Sequence, residues 1–495
     1  MKNKTIYIIL LVAVSFFTSC SDWLDVQPQN QQREKDLYTT YKGYQDALTG
    51  CYAAMAARGV YGDHLTMTSI ENLACLWAQP RLDNQPAQYY LNMHDYTNDY
   101  TKNIFSTIFG GLYNVIVQAN AIINNLDEDP GSIHSEKGFN IVKGEALAIR
   151  AYCHFDVLRL FGQMPAGAQK RVSLPYSETH SIKIMPAYYS YEQFVDKLLK
   201  DLNEAEALLR ESDPVVDNGI RIASNQDEFL SFRHLRLNYW AVRALKARLY
   251  LYTGDTSKAY QEAKAVVEAR TSDGNSVISL SGLVDIPSRY NALPNECLFC
   301  LNNPNLLDYS MGLLGGYATD NYNDLSSMHL TTTMLTQLYQ GQNTTSNNRY
   351  LNLWETSSRN SLGTTYPTTK KYYYDSSTFL ILTELRTCLQ ILPMIRLSEL
   401  YLMMMETTTD LAEANRLYKS YMVSHNVNVT EDFTSLDVFR AELEGEYRRE
   451  FIAEGVMFYV YKRTGKSSIL WNTSTMGEDQ YILPLPETEY DPNLN

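Results

Sequence analysis

Ile141-Val-Lys-Gly-Glu-Ala-Leu-Ala-Ile-Arg-Ala-Tyr-Cys-His-Phe-Asp-Val-Leu-Arg-Leu-Phe161, followed by Gly162-Gln-Met-Pro165, is the stretch on which the fold turns. Leu147, Ala151, Phe155 and Leu158 recur at spacings of three and four, which puts them on one stripe of an α-helix. Gly162 and Pro165 end that helix, because Gly favours the cap position and Pro lacks the amide hydrogen needed to continue.

The same period extends to both sides. Upstream, Leu37, Tyr41, Tyr44, Leu48, Tyr52 and Met55 predict a helix over Arg33 to Ala57, and a second runs from about Asn103 to Leu126. Between them, residues 58–102 have no sustained period and read as a long loop, a length usually kept for function. Downstream, Ser190 and Gln193 form a capping box that opens a helix to Arg210. Helices over Phe232 to Tyr252 and Ser257 to Arg270 meet at Gly254. Small residues between Ala247 and Ala259 sit where two helices approach, which resembles a tetratricopeptide unit. Plain helical hairpins fit that pattern too. A weaker copy occupies Leu397 to Glu406 and Leu411 to Ser424, and a closing helix runs from Leu436 to Glu454.

Residues 271–390 have another texture, rich in Ser, Thr, Asn, Gly and Tyr with short β-branched runs. The expected architecture is mainly α: a tetratricopeptide-like helical-repeat scaffold over about 33–270 and 391–470. A large irregular region with short strands, about 271–390, is inserted in it as a ligand face. After a signal peptide at 1–19, residues 20–495 form one unit.

The 495 residues are 45% hydrophobic and 20% charged, which supplies a core and excludes disorder along the whole length. A net charge of −14 gives no electrostatic footprint for nucleic acid. Tyrosine stands out, with 38 copies against 16 Phe and 5 Trp. It combines an apolar face with a polar tip, which suits wet stacking surfaces.

Lys2 and Lys4 precede the apolar run Ile6 to Phe17, too short to span a bilayer and fitting for a signal peptide. Phe17-Thr18-Ser19-Cys20 resembles a bacterial lipobox, which implies Cys20 as the lipidation site and the mature N-terminus, with an ordinary secretory signal and an incidental cysteine as the alternative. Acyl chains contribute about 0.8 kcal/mol per buried methylene, so two or three hold a protein at a membrane. No second stretch of about twenty apolar residues is evident, so a tethered, non-spanning body is expected. Cys297 and Cys300 form a lone C-x-x-C without a second pair or a His partner, and buried strand cysteines are the better reading.

Nothing argues positively for catalysis. The eight histidines include no H-E-x-x-H, Val460 occupies the position where a phosphate-binding loop ending at Gly465-Lys466-Ser467 needs Gly, and no G-x-S-x-G occurs. No metal ligands and no cofactor are expected. A non-catalytic binder of sugars is the alternative, since sugar rings stack on aromatic faces while their hydroxyls bond to Asn, Asp and Arg. The long loop offers Glu71, Asn72, Trp77, Arg81, Asp83 and Asn84. Trp77 equally fits a scaffold plug, and Arg81 a surface ion pair.

Together these segments resemble the SusD/RagB family, nutrient-binding surface lipoproteins of Bacteroidetes. The segments that carry the likeness are Asp22-Trp-Leu-Asp25-Val-Gln-Pro28, Tyr113 to Asn120, Gly144-Glu145-Ala146 through Arg150-Ala151-Tyr152 to Pro165, and Ile395-Arg396 to Glu406. Arg448-Arg449-Glu450-Phe451 with Glu454-Gly455, Lys462 to Gly465, and Leu483-Pro-Leu-Pro486 with Asp491 to Leu494 complete it. The stretch Tyr418 to His425 departs, lacking the Asn and Arg usual there. The resemblance implies four tetratricopeptide-like helix pairs. It also implies a lipid-anchored, surface-exposed protein of the cell outer membrane that captures oligosaccharide and passes it to a SusC-like TonB-dependent transporter, breaking no bond. A peptide-binding member of the family and a surface glycosidase remain as alternatives. Expected ligand contacts are Asn72, Trp77 and Arg81 from the loop and Tyr317, Tyr322 and Trp354 from the irregular region.

Overall fold

The computed structural model describes residues 37–490 apart from 84, 182, 225–226, 283–290, 315–327, 357–365 and 374–381. Cys20, Asn84, Tyr317 and Tyr322 therefore lie outside the described residues.

The amino-terminal half is a stack of antiparallel helices: α1 (Tyr41–Met55), α2 (Ser69–Leu73), α3 (Pro86–Asn92), α4 (Asp99–Glu128) and α5 (Glu136–Phe161). A two-residue pair, β1 (Leu174–Pro175) and β2 (Tyr188–Tyr189), precedes α6 (Tyr191–Ser212), α7 (Tyr239–Thr253) and α8 (Thr256–Val267). The Ser190 capping box at α6 is present as expected. Gly254, at φ +89°, ends α7 in the left-handed region, and the Asp255 side chain accepts from the Lys258 amide to start α8 at once. That tight turn lays α8 back along α7, and its other side meets α13 (Leu397–Thr407), the next repeat.

Before α13 come β3 (Cys297–Asn302), α9 (Leu306–Leu314), α10 (Thr332–Leu338), α11 (Asn348–Asn352), β4 (Trp354–Glu355), β5 (Thr368–Thr369), α12 (Leu382–Thr387) and β6 (Ile391–Arg396). β3 pairs antiparallel with β6, and Cys297 and Cys300 are buried within it as free thiols. After α13 follow α14 (Leu411–Ser424), α15 (Leu436–Phe451), α16 (Met457–Thr464) and α17 (Glu478–Tyr481). One cluster of buried apolar side chains runs from Tyr44 to Leu483.

The motif residues of the opening stretch are pins between helices. Glu145 receives the Tyr52 hydroxyl of α1 at 2.8 Å and an ion pair from Arg233. Arg150 grips Asp201 of α6 with two bonds of 2.7 Å and donates to Asn120 of α4 at 3.0 Å. Arg248 of α7 makes a two-bond pair with Glu399 of α13, at 2.8 and 2.6 Å. Such charges persist in a core because each is paired and hydrogen-bonded.

Several boundaries differ from the periodic reading. The helix expected from Phe232 begins at Tyr239, because Phe232 sits at φ +50° and Arg233 is drawn to Glu145 and Asp213 before the helix can form. The closing helix stops at Phe451, where Ala453 (φ +66°) and Gly455 (φ +72°) turn the chain. The loop over 58–102 contains α2 and α3. Finally, α4 is long and apolar enough to cross a membrane, contrary to the expectation of no second apolar span. In the fold, 56% of its apolar window is buried, and it packs on α1 and α5.

Candidate functional site

The long loop divides into a buried anchor and an exposed shelf. In the anchor, Glu71 of α2 is fully enclosed, and its two carboxylate oxygens accept from the Ala453 amide at 3.0 Å and the Gly455 amide at 2.8 Å. The left-handed turn after α15 is what aims both amides at one carboxyl. A Cβ on Gly455 would meet the Leu65 carbonyl oxygen at 2.0 Å, so the two segments approach to backbone distance. Burial pushes the Glu71 carboxyl up to about 8, against the pull of those two amides and of Lys371.

Asn72 is also buried. Its amide donates to the Thr68 carbonyl at 2.9 Å and reaches the Met328 sulfur at 3.4 Å. Trp77 is 1% exposed, and its indole N–H donates to the Met67 carbonyl at 2.8 Å. The expectation of a stacking platform at Trp77 is thus corrected: core atoms cover the ring faces, and the indole closes the loop on itself. Asn72 is corrected likewise, since its side chain is buried and its amide nitrogen donates inside the anchor.

After Trp77 the chain emerges. The Ala78 amide donates to the His329 carbonyl at 2.8 Å, which joins the loop to the irregular region. Next to it, the Leu330 amide donates to the Pro367 carbonyl at 2.9 Å, and the His329 and Tyr366 rings lie 5.1 Å apart. Arg81, Leu82 and Asp83 stand out from this junction, with Leu82 48% exposed. Arg81 faces Asp83 through bonds of 3.1 and 2.6 Å, a two-point pair. The Gln85 amide donates to the Arg81 carbonyl at 2.8 Å and closes the turn that holds the pair at the surface. A planar guanidinium and a carboxylate held together offer a row of donors beside acceptors.

Trp354 is 4% exposed, with its indole 3.2 Å from the Tyr339 hydroxyl, so it too is corrected from ligand face to structural pin. It starts β4, which pairs with β5, and two residues later Lys371 is held inside the carboxy-terminal turn. The Lys371 ammonium donates to the Glu450 and Ile452 carbonyls, both at 2.9 Å, and to Glu454 at 2.5 Å. Arg396 pairs with Glu296, Glu450 and Glu454, and Arg349 pairs with Glu446 and Glu450. This charge cluster clamps the irregular region, and Glu71 with it, onto the end of α15. Spacing alone gave no sign that the Arg-Glu-rich block would hold the expected ligand face in place.

Of the six expected contacts, then, Arg81 is exposed, Asn72, Trp77 and Trp354 are internal, and Tyr317 and Tyr322 lie outside the described residues. Asp83, the neighbour that orients Arg81, belongs to the shelf as well.

Residues 22–251 match a family model, SusD-like_3, described as starch-binding associating with outer membrane. SusD-like protein P2 of Formosa agariphila is 25% identical over 279 residues, which is 54% of this chain and 47% of that protein. The match thus spans about half the length of that curated relative. A solved SusD superfamily protein from Bacteroides thetaiotaomicron superposes with a TM-score of 0.68 at 22% identity, covering 92% of this chain and 98% of the other. A structure described as a laminarin binding SusD-like protein superposes at 0.63 with 16% identity, covering 92% and 98%. Sequence over residues 22–251 and architecture over most of the chain point the same way: that stretch matches the SusD-like family, and the fold is that of solved SusD superfamily proteins.

Proposed function

We propose that this protein captures a saccharide on the outer face of the cell envelope and hands it to an outer-membrane transporter of the SusC type without breaking a bond. The observation that carries the reading is the shelf at 78–85. There the amino-terminal loop is hydrogen-bonded to the irregular region at His329 and holds the Arg81–Asp83 pair in solvent. A sugar presents alternating donors and acceptors on its hydroxyls, and a guanidinium beside a carboxylate matches both in one plane. The pair is also intramolecular and exposed, so solvent screens it and opening it toward a ligand costs little. The family description and the laminarin-binding neighbour support saccharide over other classes.

Tyr317 and Tyr322 are proposed stacking partners, and Cys20 the proposed lipid anchor that tethers the protein at the membrane. Tethering raises the effective concentration of captured ligand at the pore, so modest intrinsic affinity suffices. Delivery then works by closure of this tethered protein over the transporter.

Affinity electrophoresis in gels cast with laminarin or with starch tests the reading. Retardation in one of them, with no reducing ends released on incubation, is the expected result. Free migration through a panel of soluble polysaccharides, or steady release of products, overturns it.

A further inference from the structure

Away from the shelf, a groove of about 860 Å³ opens between the first half of α4, the β1–β2 segment and the tail after α17. Its floor is a single stripe of α4, on which Asp99, Asn103, Ser106, Gly110 and Tyr113 recur at helical spacing. Gly110 leaves that floor open, since a Cβ there meets nothing within 4 Å. Prolines stand on both walls, with Pro175 and Pro186 facing Pro484 and Pro486. Met185, at 59% exposed, and Tyr188, at 42%, stand at the lip.

The hydrogen-bonding capacity of this groove is lopsided. Proline supplies carbonyls and no N–H. The Tyr113 hydroxyl already donates to the Pro175 carbonyl at 2.5 Å, and the Tyr188 hydroxyl to Glu489 at 2.5 Å. Lys102 lies 2.9 Å from Glu487. Three carboxylates, from Asp99, Glu487 and Glu489, thus surround one ammonium that is already engaged. Acceptors and negative charge are in excess, and the surfaces between them are aromatic and proline.

We propose that this groove docks a cationic, proline-containing extended segment of a partner protein. Grooves lined by aromatic rings receive polyproline segments, whose fixed backbone dihedrals lose little entropy on binding. Arginine or lysine in such a segment meets both the rim carboxylates and the ring faces. A second copy of this chain is disfavoured as occupant, because two acidic rims would face each other on molecules of net charge −14.

Fluorescence anisotropy of a labelled arginine–proline repeat peptide, titrated with the full protein, provides the test, with a glutamate–proline repeat as control. Saturable binding of the first and none of the second is expected, weakening as salt is raised. Gly110→Phe fills the floor, and Asp99→Asn combined with Glu487→Gln strips the rim. Each is expected to lower affinity about tenfold or more with the thermal unfolding midpoint retained, whereas Arg81→Ala leaves peptide binding unchanged. Absence of saturable binding, or binding that survives both groove variants, overturns the proposal. So does a groove that takes laminarin oligosaccharide in a Gly110→Phe-sensitive way while ignoring the cationic peptide. The peptide results leave the shelf untouched, and the shelf itself is read by Arg81→Ala in the polysaccharide gels.

Discussion

Replacing Trp77 by Ala separates the two roles that an aromatic residue in this loop can play. The side chain is enclosed on all sides and donates one hydrogen bond to a main-chain carbonyl. Removing an enclosed Trp costs about 3–5 kcal/mol through lost burial and the cavity left behind. Leaving the Met67 carbonyl without its donor adds about 1 kcal/mol or more. Trp77→Phe keeps most of the volume but still loses the donor, so it falls well below the Ala variant in cost. Arg81→Ala, by contrast, breaks only an exposed, solvent-screened pair and leaves the unfolding midpoint essentially where it was. Guanidinium unfolding followed by circular dichroism measures each stability, and migration in polysaccharide gels measures each affinity. The expected pattern is crossed: Trp77→Ala shifts the unfolding midpoint strongly, and Arg81→Ala weakens retention while unfolding normally. A Trp77→Ala protein that unfolds like the parent yet no longer binds would refute the assignment of Trp77 to the anchor.

Three further outcomes follow from named contacts. Glu71 keeps its proton in the folded state up to about pH 8, whereas an unfolded Glu loses it near its ordinary value of 4.5. Its contribution to stability therefore declines as pH rises through that window, by about 1.4 kcal/mol per unit for one proton. Glu71→Gln is expected to flatten the difference between unfolding free energies measured at pH 5 and 7.5, and an unchanged slope counts against a protonated Glu71. Arg233→Ala leaves Asp213 buried without a cation and Glu145 with only the longer Arg236 contact at 3.6 Å, and is expected to cost about 3–5 kcal/mol, seen as a lowered unfolding midpoint. Cys20→Ala is expected to abolish palmitate labelling and to move the protein out of the membrane fraction; retention there would reject Cys20 as anchor.

The helices were legible because their signals are local. Ser190 with Gln193, Gly254 with Asp255, and the Leu147–Leu158 stripe each act over three to eleven residues, and all appear where the periodicity put them. The stretch Gly144 to Pro165 also marked the family, although its reason was hidden. Glu145 and Arg150 look like surface charges on a helix wheel, and only Arg233, Tyr52 and Asp201, far off in sequence, explain their burial. The start of α7 was missed for the same cause, since Arg233 answers to Glu145 and not to helix propensity.

In the loop, composition alone picked out Glu71, Asn72, Trp77, Arg81, Asp83 and Asn84 as a set suited to sugar, Asn84 lying outside the described residues. Which of them meets solvent was settled by tertiary contacts, distant for Glu71 and within the loop for Trp77. The turn at Ala453–Gly455 takes Glu71, and the Met67 carbonyl takes the Trp77 indole. The pairing of Ala78 with His329 then lifts Arg81 and Asp83 clear. The amino-acid order thus determined the helices and the helical repeat, because those rest on contacts between near neighbours. Tertiary structure decided which polar and aromatic side chains hold the fold and which remain for a ligand, because burial depends on what other segment comes to lie on top.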